Sequence, residues 1–205
     1  MYFDIGSNKG LWSLANYYNC DKIIAIEASP STFIKLLENC GNHSKIECIN
    51  FAVCDNNNMD ITFYQAEADT LSTLNKDWLT LESSRFYNHK YKEIICKTIT
   101  IDNLIEKYGV PSLIKIDVEG GEYECIKSLT KKVDNLCFEW ASETNNITFQ
   151  CLEYLIKLGF TLFFVQLEDN YVFRPNVDKY YSIDEAIIIL NDTIPKLHWG
   201  MIWCK

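Results

Sequence analysis

The sequence predicts an α/β fold, with a mostly parallel sheet, helices on both faces and an antiparallel C-terminal edge, on three observations. Short continuous apolar runs at 22–26, 46–53, 113–116, 136–138 and 162–165 have the composition of strands buried on both faces. Between them lie stretches whose apolar residues recur at helical spacing. No internal repeat or low-complexity linker divides the 205 residues, and 48% hydrophobic content is enough for one full core. Alternating strands and helices give parallel neighbours joined by right-handed crossovers, so a single domain over 1–205 is expected.

Taken in order, residues 1–5 read as the first strand, and Leu11, Leu14, Ala15 and Tyr18 share one face of the helix after it. Ser29-Pro30 is a helix-start signal that follows the second run, with Phe33, Leu36, Leu37 and Cys40 as the apolar stripe. The run 46–53 reads as one strand. Residues 66–92, rich in aromatic and polar side chains, show neither helical nor strand periodicity; so long a loop in a compact domain serves as a lid or binding surface. Ile101, Leu104, Ile105 and Tyr108 mark a helix that stops at Gly109 and Pro111, ahead of the run 113–116. The last third departs from simple alternation. A helix over 147–158 closed by Gly159 precedes extended segments at 160–166 and 171–174, an irregular stretch at 176–182, a capping-box helix opened by Ser182 and Glu185, and a final strand at 199–204.

Composition excludes several classes of function. A formal charge of −9 offers no basic stripe to a phosphate backbone, which argues against a nucleic-acid partner. The nine cysteines form no CxxC pair and no regular spacing, so zinc ligation has no support. Cys40, Cys125 and Cys151 fall where helices need small core residues, the ordinary use of a free thiol in a reducing compartment. With no signal segment and no membrane-length apolar run, a cytoplasmic protein is expected. Nothing in the pattern specifies an oligomeric state.

In an open parallel sheet, ligands bind beyond the carboxyl ends of the strands, where strand order reverses. The first strand ends in "DIGSNKG", whose Gly6 and Gly10 let the backbone approach a ligand and the next helix start tightly, although an ordinary strand–helix turn uses glycines as readily. Ser7-Asn8-Lys9 between them break the dinucleotide-binding GxGxxG spacing, which argues against a nicotinamide-dependent oxidoreductase. Asp4 would repel a pyrophosphate and favour an ammonium or sulfonium cation. Glu27 in "IEASP" stands where a carboxylate can accept both hydroxyls of a ribose. Asp117 in "KIDVEGGE" and Glu139 in "FEW" end two further runs, so four strands each carry an acid near one edge. Glu119 and Glu122 suit a helix N-terminus, where an acid gains about 0.3–1 kcal/mol. That does not account for Asp117, which follows directly on an apolar run.

The segments "FDIGSNKG", "IEASPSTFIKLLENC", "INFAVCD", "TITIDNLIEKYGVPSLIKIDVEGGEYECIKSL" and "FEW", in that order over residues 1–140, resemble the FkbM-type family of S-adenosylmethionine-dependent methyltransferases. The resemblance implies a Rossmann-like class I methyltransferase fold with a seven-stranded sheet. It implies that Asp4, Gly6, Asn8 and Gly10 cradle the methionine part of S-adenosylmethionine, that Glu27 binds its ribose, and that Ala28, Ser29 and Ala52 flank its adenine. Asp117 would lie beside the transferred methyl group. Members of the family methylate hydroxyls of sugars or secondary metabolites, so the expected acceptor is a glycan or small molecule. One departure from the family pattern is that Met1 lies almost on the first strand, and the helix that usually closes over the cofactor is expected to be missing.

A hydroxyl needs a base to become a good nucleophile. Asp117 or Glu119 is the first choice and His89 the second, since a loop histidine between Asn88 and Lys90 is ordinarily just solvated. Carboxylates such as Asp117, Glu119 and Glu139 would also suit Mg²⁺, but the resemblance does not call for a metal and none is assigned. In 77–92, Trp78, Phe86, Tyr87 and Tyr91 would stack on a sugar ring or simply pack on the core. The competing reading is a nucleotide- or glycan-binding module without catalysis on the same fold.

Overall fold

The computed structural model describes residues 1–168, 170–196 and 198–205, apart from the side chain of Asn145. Strands β1 (Tyr2–Ile5), β2 (Ile23–Ile26), β3 (Ile46–Ile49), β7 (Leu113–Ile116), β8 (Leu136–Ala141), β9 (Phe163–Gln166) and β10 (Trp199–Cys204) form a seven-stranded sheet in the order β3-β2-β1-β7-β8-β10-β9. The first five of these are mutually parallel; β10 runs antiparallel to both of its neighbours. The chain winds outward from β1 through β2 to β3, then returns to the other side of β1 at β7, which places the reversal of strand order between β1 and β7.

Alternate residues along each strand supply the two cores. Phe3, Ile5, Ile24, Ile26, Ile114, Ile116, Phe138 and Ile202 face one side. There they pack on α4 (Ile101–Tyr108), α5 (Glu122–Ile126), α6 (Asn145–Leu158) and α7 (Ile183–Thr193) through Leu104, Ile126, Leu155 and Leu190. Tyr2, Ile23, Ala25, Leu113, Cys137 and Trp203 face the other, against α1 (Leu11–Asn16) and α2 (Pro30–Cys40) through Trp12, Leu36 and Cys40. A strand covered on both faces has no polar side to show, which is why these runs are continuously apolar. Cys40, Cys125 and Cys151 are fully buried core residues.

Four expectations need correction. The 46–53 run is not one strand: it breaks at Asn50-Phe51, where the Asn50 amide donates to the Glu27 and Ala28 carbonyls at 2.7 and 3.0 Å, and the chain resumes as β4 (Ala52–Val53). Helix α1 ends at Asn16, short of Tyr18; it buries Trp12, Ser13 and Asn16 and leaves Leu11 exposed, because the Ser13 hydroxyl donates to the Asp4 carboxylate at 2.6 Å and turns that side of a short helix to the sheet. Residues 171–174 form no strand; Asn16 and Arg174 pin them to α1 through side-chain hydrogen bonds. Residues 66–92 are largely ordered by packing. They connect β5 (Asp60–Ala66) to β6 (Tyr91–Ile99), which with β4 make a second, three-stranded sheet. Between those strands, a 3₁₀ turn at Asp69–Leu71 and a short helix α3 (Asp77–Thr80) enclose a small core of Leu71, Trp78 and Leu79 against Ala141. Trp78 is thus a packing residue. No helix among the described residues is long and apolar enough to cross a membrane.

Candidate active site

The carboxyl ends of β2, β1, β7 and β8, adjacent in the sheet, open into a cavity of about 350 Å³. That size falls among cofactor and small-molecule sites, which span roughly 300–1,000 Å³. Its floor is the turn after β1. Gly6 has φ +73, and a Cβ there would collide with the Asp117 carbonyl, so only glycine lets the β1 and β7 ends come this close. Gly10 caps α1 in the left-handed conformation, pressed against Leu36 and Cys40 of α2.

Glu27, directly after β2, lines the cavity while only 7% exposed. Its carboxylate accepts the Asn8 amide at 3.0 Å and the Ser29 amide at 2.8 Å, one on each oxygen. Burial nevertheless dominates and pushes its pKa up to about 7. Two amides hold the group in place and leave lone pairs for further donors. Ser29 itself is buried as the N-cap of α2, its hydroxyl accepting the Thr32 amide. Ala28, Phe51, Ala52, Val53 and Phe63 form an apolar wall beside Glu27.

Asp4 and Lys115 are register partners on β1 and β7, and both side chains turn toward α1. Lysine in the middle of a buried strand is tolerated only when paired. Its ammonium lies 3.3 Å from Asp4, 3.2 Å from Asp117, and donates to the Gly6 carbonyl at 3.2 Å. Asp4 is fully buried behind the cavity wall, so it acts on the site through Lys115 and Ser13.

Beyond Lys115, one carboxylate oxygen each from Asp117, Glu119 and Glu139 lie within 4.8 Å of one another. Burial first, then the charges of Asp117 and Glu122, raise Glu119 well above the usual carboxylate range. Burial and the charges of Glu119 and Asp117 do the same to Glu139. Like charges this close oppose one another's ionisation, which adds to the effect of burial on Glu119 and Glu139. Glu119 has φ +56. Glu122 turns back from the first turn of α5 to accept the Val118 and Gly120 amides at 3.1 and 3.2 Å, which shows a closer role than a simple helix-start charge. The cavity is acid-rich, with Glu27, Asp69, Asp117, Glu119 and Glu139 against Lys9 and Lys115, and therefore suits a cation.

Gly6, Asn8, Glu27, Ala28, Ala52, Asp117 and Glu119 all line this cavity. Asp4, Gly10 and Ser29 support it from behind. His89 is exposed, packs its ring edge on Phe86, and is not among the lining residues, because the part of 66–92 that carries it folds over α3 instead of the sheet edge. The earlier part of that segment does reach the cavity, through Asp69, Thr70, Ser72 and Leu74. Sequence reasoning passed over Lys115 and Trp12. A lysine between Ile114 and Ile116 was the available signal for the first; the misjudged face of α1 hid the second.

A mostly parallel seven-stranded sheet with an acid-lined cavity at its point of strand reversal is the Rossmann-like architecture of class I S-adenosylmethionine-dependent methyltransferases. Residues 4–162 match the family described as the Methyltransferase FkbM domain, and the chain belongs to that family. A comparison with curated proteins returns no significant match. Among solved structures, the Methanococcus jannaschii fibrillarin pre-rRNA processing protein aligns with a TM-score of 0.49 and 13% identity over 99% of this chain and 64% of its own. This chain thus spans less than two thirds of that protein's length. Aeropyrum pernix fibrillarin, solved with natively bound S-adenosyl-L-methionine, aligns at 0.46 with 10% identity over 100% of this chain and 65% of its own. The methyltransferase domain of bacterial CtHen1 aligns at 0.42 with 9% identity over 100% and 89%.

Proposed function

We propose that the protein is an O-methyltransferase that methylates a hydroxyl of a sugar, glycan or small metabolite. The observation that carries this reading is the convergence of Asp117, Glu119 and Glu139 at the cavity, a group able to take up and hold a proton. The cavity also fits the family's cofactor. Its excess of carboxylates suits a sulfonium, the wall of Ala28, Phe51, Ala52 and Phe63 suits an adenine, and the two-amide cradle of Glu27 presents it to ribose hydroxyls. In this reading Gly6 and Asn8 hold the methionine part, with Asp4, Gly10 and Ser29 keeping their loops in shape.

S-adenosylmethionine, when bound, supplies an electrophilic methyl group. The protein's part is to orient the acceptor oxygen in line and to receive its proton. Asp117 takes the proton, and Glu119 and Glu139 share it. Lys115 pairs with Asp117 at 3.2 Å and holds its carboxylate in place. Trp199, exposed at the cavity with the Arg85 guanidinium over its ring, is an aromatic side chain of the kind that packs on sugar rings, which supports a carbohydrate-like acceptor.

The test is methyl transfer from labelled S-adenosylmethionine across a panel of sugars, glycans and hydroxylated metabolites, paired with Asp117→Asn. The expected outcome is transfer to an oxygen of one acceptor class, lowered about 10²–10⁴-fold in the variant with an unchanged melting temperature. Cofactor binding with no transfer to any acceptor would instead favour a binding module, and an Asp117→Asn protein with wild-type turnover would remove Asp117 from the chemistry.

A further inference from the structure

The turn that carries Glu119 is held from outside by one short stretch of the β5–β6 connection. Thr73, 0% exposed, donates its hydroxyl to the Glu119 carbonyl at 2.6 Å and accepts the Asn75 amide on the same oxygen at 2.8 Å. The Asn75 side chain then donates to the next carbonyl, that of Gly120, at 3.2 Å. Thr73 is itself anchored, exchanging both backbone hydrogen bonds with Tyr64 of β5 at 2.9 and 3.1 Å. Its neighbours Ser72 and Leu74 line the cavity. The clamp therefore joins one wall of the cavity to the backbone of Glu119, and does so where that backbone is least relaxed. A glutamate at φ +56 lies in the left-handed region, which a residue with a Cβ adopts only where its surroundings hold it there.

We propose that Thr73, backed by Asn75, is the positioning residue for the carboxylate cluster: its hydroxyl fixes the left-handed turn that aims Glu119 at Asp117 and Glu139. The proposal deepens the methyltransfer reading and rests on it for its catalytic meaning. Without the hydroxyl, the Glu119 carbonyl and the Asn75 amide both lose a partner, and the turn relaxes toward an ordinary conformation that swings the Glu119 carboxylate toward water. The groups facing Glu119 are Asp117, Glu122 and Glu139, which favour its protonated form, and Lys115 and Arg85, which oppose it. Departure from the cluster removes burial and three acidic neighbours together, so Glu119 becomes a stronger acid.

The readout is a ¹³C titration of glutamate carboxyl carbons in the full chain, with the Glu119 resonance assigned by its loss in Glu119→Gln. Thr73→Val keeps the shape and removes the donor; Thr73→Ser keeps the donor. The expected result is a Glu119 proton affinity at least tenfold lower in Thr73→Val and restored in Thr73→Ser. An unchanged Glu119 titration in a folded Thr73→Val protein overturns the proposal, as does failure of Thr73→Ser to restore it. Should Thr73→Val not fold, Asn75→Ala removes the Gly120 bond, together with the acceptor of the Asp77 amide, and is expected to shift Glu119 in the same direction; no shift there also overturns it. The titration needs neither methyl donor nor acceptor, so absence of methyl transfer would sink the functional reading while leaving this one standing.

Discussion

At Glu27, two requirements conflict, and the conflict is measurable. The side chain must be buried to line the cavity, yet must keep its oxygens available, and burial raises its pKa from 4.5 to about 7. A carboxyl whose folded pKa is raised binds its proton more tightly in the native state than in the unfolded chain. Its contribution to stability is fully present below about pH 4.5 and is lost as pH rises through about 7, by about 3 kcal/mol in all. Glu27→Gln cannot ionise, so its melting temperature should fall less between pH 5 and pH 8 than that of the wild type. The same variant should bind S-adenosylmethionine about ten- to a hundred-fold more weakly, the loss expected for one charged acceptor. Calorimetric melts and binding at the two pH values check both statements; equal pH dependence in the two proteins would show that Glu27 is not the titrating group. Glu27, Asp117 and the glycine turn were legible because each stands at the end of an apolar run, where a carboxylate has no structural reason to be. Thr73 was not, since a threonine in a polar loop carries no signal until its partner across 46 residues is known.

Among the elements, the connection between β5 and β6 is the one whose order the sequence concealed. Strand β6 is half exposed and alternates irregularly, and the turns between the strands are too short to display a period. What holds the connection over the cavity is polar. Asp69 pairs with Lys9 of the first turn at 2.8 Å and with Lys35 of α2 at 3.0 Å, while its carbonyl accepts the Asn8 side chain at 3.3 Å. Exposed pairs contribute little singly, but one acid shared by two elements ties the cavity mouth together. Asp69→Asn should accelerate release of S-adenosylhomocysteine a few-fold, with most of the difference gone at high salt. Stopped-flow displacement at low and high ionic strength measures it, and a variant with wild-type release at low salt would show that the strap bears no load. The strands of the main sheet, in contrast, were readable apart from the break after Ile49, because burial on both faces leaves a largely apolar signature.

Considered as a whole, the molecule concentrates titratable acids at one end of its sheet. Glu27, Glu119, Glu122 and Glu139 are all raised above their ordinary values, chiefly by burial. Each loses its stabilising proton as pH rises, within a chain already at a formal charge of −9. The cofactor-free protein should therefore melt higher near pH 5.5 than at pH 8. A sulfonium cation interacts best with the ionised cluster, so the preference for S-adenosylmethionine over the neutral-sulfur S-adenosylhomocysteine should grow as pH rises through about 7, where Glu27 and Glu122 titrate. Thermal shifts with each ligand at both pH values test this, and a pH-independent preference would indicate that the acids do not sense the cation.

The position of β10 has a consequence for synthesis. Because β10 lies between β8 and β9, strand β9 has no place in the sheet until Trp199–Cys204 has left the ribosome. The five parallel strands, four of which bear the cavity edge, come entirely from earlier sequence and can pair while the chain is still growing. Phe163–Gln166, apolar and bridged by Tyr181 along its outer edge, must meanwhile wait with its inner edge unpaired. That interval is when a nascent chain of this topology is most exposed to aggregation or capture by a chaperone.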